Sequence, residues 1–108
     1  MKLFSVKAEL KAIRSITTSS EGVAALLLST FDKSYFHFEP TLAAYNRIVS
    51  IARKRGEVVK FLDLVEDPSL NEDFRDVLRE SKTAYCKSER TAHELVAVLD
   101  RYAKARLW

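Results

Sequence analysis

Gly22, Pro40, Gly56 and Pro68 are all the glycine and proline in a chain of 108 residues. This scarcity limits the possible folds more than any other feature. A β-sandwich or barrel needs turn residues about every ten positions, and this chain cannot supply them. The chain is therefore predicted to be all-α, a compact bundle of five to six helices with a long C-terminal helix. Hydrophobic residues at 47% and charged residues at 31% are those of a folded globule, not a disordered tail. The length gives one domain with a modest core.

Helical periodicity places the elements. Ser5 is a candidate N-cap for a first helix over 6–17, with Val6, Leu10, Ile13 and Thr17 on one face. A second helix over 21–31 is apolar all round, which places it at the centre of the bundle. The stretch "DKSYFHFEP" has room for one turn of helix, and its aromatics are expected to lock the head together. A third helix starts at Pro40, buries Leu42, Tyr45, Ile48, Val49 and Ala52, and stops at Gly56. "KFLDLVEDP" is a short helix or turn closed by Pro68. Asn71 then caps a helix that buries Phe74, Val77 and Leu78, and "KTAYCK" is a loop. Ser88 caps the last helix, over 89–108. Residues 1–88 are thus read as a helical head and 89–108 as a C-terminal helix of one overall domain.

Several kinds of chemistry lack the residues they need. Two glycines cannot build a phosphate-cradling loop, and no G-x-x-x-x-G-K-[ST] occurs. Cys86, His37 and His93 are the whole supply of soft metal ligands. His37-Phe38-Glu39 matches the H-x-E of zinc deaminases, but that motif needs a later cysteine pair. Nothing near Cys86 and His93 would orient a base, so Cys86 is expected to be a small, partly buried hydrophobe. The reading is of a chain with no catalytic, cofactor or metal site. A single cysteine fits a reducing compartment, and the N-terminus lacks a signal-peptide pattern. The expected location is the cytoplasm.

Two features suggest binding. The first is positive charge: the net charge is +3, with a stripe at Lys7, Lys11 and Arg14 and a cluster at Arg53, Lys54 and Arg55. The cluster falls in the last turn of its helix, where the dipole favours cations. It could also track phosphates or meet an acidic protein. The second feature is the last helix, whose apolar stripe of Leu95, Leu99 and Tyr102, with Leu107 and Trp108 beyond, is wide for a solvent-facing helix. It is the candidate protein interface. On that reading Leu99→Asp weakens self-association.

Three stretches in order carry a resemblance: "YFHFEPTLAAYNRI", the basic-Gly turn "ARKRGEV", and "FLDLVEDPSLNEDFRDVL", followed by "AHELVAVLDRYAKARLW". Together they resemble the N-terminal domain of DnaB-like replicative hexameric DNA helicases, in the phage-encoded branch. The likeness covers most of the chain from Leu3 onward. Phage relatives often carry a proline and a polar residue after the basic-Gly turn, where this chain has Val58-Val59-Lys60. The resemblance implies a non-motor role as part of a collar that helps hold the ring around single-stranded DNA. It also implies self-association and docking of primase and, in some systems, a loader, and a last helix, over 89–108, that leads into a hairpin or linker. ATP hydrolysis belongs to a separate motor domain, and the location would be the host bacterial cytoplasm. Two other readings stay open: a free-standing basic helical DNA-binding protein, and a small helical adaptor with no nucleic-acid role.

Overall fold

The computed structural model describes residues 3–81 and 84–107. Among them there is no strand. The chain forms α1 (Val6–Thr18), α2 (Glu21–Thr30), a 3₁₀ turn (Lys33–Tyr35), α3 (Glu39–Arg55), α4 (Phe61–Val65), α5 (Glu72–Glu80) and the long α6 (Glu89–Arg106). The all-α bundle of six helices is the predicted fold class.

The helix ends follow local chemistry. Ser5 Oγ accepts from the Ala8 N–H at 3.2 Å and starts α1. Asn71 Oδ1 accepts from Asp73 N–H at 2.8 Å and starts α5. At α6, Ser88 and Thr91 form a reciprocal capping box. Gly56 ends α3 in the left-handed conformation, φ 66°, and its N–H closes on the Ala52 carbonyl at 2.8 Å.

The centre of the bundle is α1, not α2. α1 packs against α2, α3, α4 and α6 and buries Ala12, Ile13, Ser15, Ile16 and Thr17. Its polar members are satisfied in place. Thr17 Oγ1 donates to the Ile13 carbonyl at 2.8 Å, and Ser15 Oγ accepts from the Cys86 N–H at 2.9 Å. α2 buries only Val23, Ala24 and Leu27 and leaves Ala25 exposed. An exposed alanine costs little, so an apolar sequence does not by itself force a helix to the middle. α3 is also rotated from its expected face. Thr41, Ala44, Tyr45 and Ile48 are its buried residues, together with Pro40, while Leu42, Val49 and Ala52 are half-buried.

The aromatics do lock the head. Phe36 stacks on Tyr45 at 4.6 Å between centroids, Phe31 meets Phe36 edge-on at 5.7 Å, and Tyr45 Oη donates to the Phe31 carbonyl at 2.9 Å. The loop before α6 is pinned to α1. Besides the Ser15 bond, Ser19 Oγ donates to the Cys86 carbonyl at 2.6 Å. Cys86 itself is fully buried, deeper than expected.

Candidate docking surfaces

Two of the three cations in the first stripe stay available. Lys7 is exposed and Lys11 half-buried, and neither has an ion-pair partner among the described residues. Arg14 is engaged. Its guanidinium lies 4.0 Å from the centre of the Phe61 ring, which ties α1 to α4.

Arg53, Lys54 and Arg55 are exposed in the last turn of α3, as the dipole favours. Arg53 lines a depression with Asp32 and Tyr45. Arg55 lines another with Asp63, Glu66 and Asp67. Arg53 and Arg55 thus border different clefts, each with at least one carboxylate in its lining, the first also with Lys33, while Lys54 lines neither. Within the second cleft Arg47 Nε binds Asp67 at 2.6 Å, and Asp67 also accepts from the Ser69 N–H at 2.9 Å. Burial on its own raises the Asp67 carboxyl, but these bonds outweigh it and hold the group below the ordinary carboxylate range.

The last helix divides as well. Leu95 is 5% exposed and Leu99 1%, so both belong to the bundle's own core and Leu99 offers no surface to another subunit. Tyr102 is half-buried, Leu107 is 85% exposed, and Trp108 lies outside the described residues. The helix stays tied to the head as far as Arg106. Tyr35 Oη donates to Asp100 Oδ1 at 3.3 Å, and the Arg106 guanidinium donates to the Leu3 and Ser34 carbonyls.

The structure brings the first basic stripe and the last helix together. α6 lies along α1, and the seam between them is open. One depression of about 290 Å³ has Ala8, Leu95 and Val98 as its floor and Lys7, Lys11 and Glu94 on its rims. A second, of about 580 Å³, adjoins it through Ser5 and Lys7 and is walled by Leu3, Phe4, Val6 and Tyr102. His37 closes this end, its ring 4.7 Å from that of Phe4. Sequence reasoning missed Leu3, Phe4 and Ala8 here, because nothing in the pattern says which helix α1 faces.

Glu9, one turn along α1 from Ser5, was also missed. It is 1% exposed. Its Oε1 accepts from the His37 N–H at 2.7 Å, the Phe38 N–H at 2.9 Å and Thr41 Oγ1 at 2.8 Å. It caps α3 from another helix, because the side chain of the N-cap residue Phe38 offers no acceptor.

Among the described residues, no three His, Cys, Asp or Glu side chains gather to hold a metal ion, and no helix is long and apolar enough to cross a membrane. No family model matches the chain, and neither a curated protein nor a solved structure matches it.

Proposed function

We propose that this chain is the N-terminal collar domain of a DnaB-like replicative helicase, one that assembles with its neighbours and docks primase or a loader and carries out no chemistry itself. One observation supports the reading above the others. The residues that carry the resemblance meet in space. Arg47 of "AYNRI" binds Asp67 of "LVEDP" at 2.6 Å, and Gly56 makes the left-handed turn between them. Tyr45, from the same motif, is held by Phe36 and by the Phe31 carbonyl. These contacts make the quoted stretches one packed unit, and the function proposed for it rests on its surface.

The charge distribution favours protein docking over a DNA grip. Arg14 lies on Phe61, and Arg53 and Arg55 border two different clefts that carry carboxylates. The test is to titrate the purified chain with the primase encoded by the same genome and, separately, with an oligothymidine strand across a salt series. Primase binding with little salt-sensitive DNA binding is the expected result. Strong DNA binding that falls steeply with salt, without primase binding, would overturn the proposal in favour of a DNA-binding protein.

A further inference from the structure

We infer that the seam between α1 and α6 is a docking groove for an acidic amphipathic helix. The floor is apolar and runs in one line. On α6, Thr91, Leu95, Val98 and Tyr102 fall at helical spacing and all line the two adjoining depressions. The eleven steps of helix from Thr91 to Tyr102 span about 16 Å, which is three turns of a partner. Leu3 at 47% exposure, with half-buried Phe4, Val98 and Tyr102, leaves apolar surface uncovered along this line.

The rims specify the partner's charge. On the α1 side stand Lys7 and Lys11, one turn apart and without ion-pair partners among the described residues. On the α6 side Glu94 is the acid, and Arg90 pairs with it at 3.5 Å. Arg101, two turns beyond Glu94 on the same flank, is exposed. Lys7 and Lys11 are thus left without ion-pair partners among the described residues at the edge of an apolar trough, and Arg101 stands outside its lining. A nucleic-acid backbone would satisfy the cations but leave the half-buried Ala8 and Val98 uncovered. A helix with leucine-like residues at i, i+3, i+4 and i+7, flanked by Asp or Glu, satisfies both. The groove stands on its own geometry and does not depend on the helicase reading, so failure to bind primase leaves it untouched.

The test is a ¹H–¹⁵N titration of the full chain with a designed peptide of about five helical turns, carrying a leucine stripe and glutamate flanks. The expected result is shifts confined to amides of Lys7, Lys11, Val98, Tyr102 and their neighbours. Binding should weaken by roughly tenfold or more in Lys7→Glu/Lys11→Glu, with circular dichroism unchanged. Val98→Asn, checked for fold in the same way, should weaken it without any change of charge. Equal binding of the same peptide with lysine flanks overturns the inference. So do shifts at these amides caused by oligothymidine, or by raising the concentration of the protein alone. Absence of any shift at millimolar peptide overturns it as well.

Discussion

Glu9 holds the start of α3 from a distance of 28 residues along the chain. In the sequence it stands between Lys7 and Lys11 and looks like one more surface charge. Its role is legible only from the other end. The Phe38 side chain at the N-cap has no acceptor, so the first amides of α3 need one from elsewhere. Glu9→Ala should therefore destabilise the protein by about 2–3 kcal/mol in urea unfolding, since buried N–H groups lose their acceptor. Glu9→Gln keeps an oxygen in place and loses only the charge facing the helix N-terminus, so roughly half that loss is expected. Equal losses for the two variants would mean that the charge, not the acceptor, does the capping. Asp67 gives a second test at this scale. Its carboxyl is held low when folded. The stability it adds is complete above its unfolded pKa of about 3.9 and is lost as pH falls through the lower folded value. Acid unfolding of Asp67→Asn should accordingly show a shallower fall in stability below about pH 4 than the parent chain. The fall will not vanish, because the Ser34 bond to Asp32 and the Lys104 bond to Asp100 hold those carboxyls low too.

Among the elements, the ends were legible and the faces only partly so. Ser5, Asn71, Ser88 and Gly56 each cap the helix that the sequence assigns to them, because a cap is a bond between residues two to four apart. Which face a helix buries depends on neighbours that local spacing does not contain. α3 turns Thr41 inward, where Glu9 Oε1 accepts a hydrogen bond from its hydroxyl at 2.8 Å. α2 gives up the centre to α1 because the polar Ser15 and Thr17 find partners inside. Gly56 tests the cap alone. Its added Cβ would meet no atom within 4 Å, so any cost of Gly56→Ala comes from the backbone at φ 66°. A loss of about 1–2 kcal/mol is expected in thermal unfolding. No loss would show that the turn relaxes out of the left-handed region without harm to α3.

For the whole molecule, the candidate site was visible in parts but not as a site. Lys7 and Lys11 read as a stripe on one helix, Leu95 and Tyr102 as a stripe on another, and more than eighty residues lie between them. Only the packing of α6 along α1 makes them the walls of one groove. The same packing decides what a substitution in α6 reports. Leu99 has 1% of its surface exposed and lies in the core with Ile13, Ile16 and Leu27. Leu99→Asp would place a charge there without a partner and is expected to unfold the chain outright, whatever its state of association. Leu99→Ala should cost about 2–5 kcal/mol. Leu107, at 85% exposure, is the residue that separates assembly from folding. Leu107→Asp should change stability by less than about 0.5 kcal/mol. If the end of α6 contributes to self-association, sedimentation will show a smaller species for Leu107→Asp with an unchanged melting temperature. If the size distribution stays the same, the exposed end of α6 takes no part in assembly, and any contact between copies must lie on another face of the bundle.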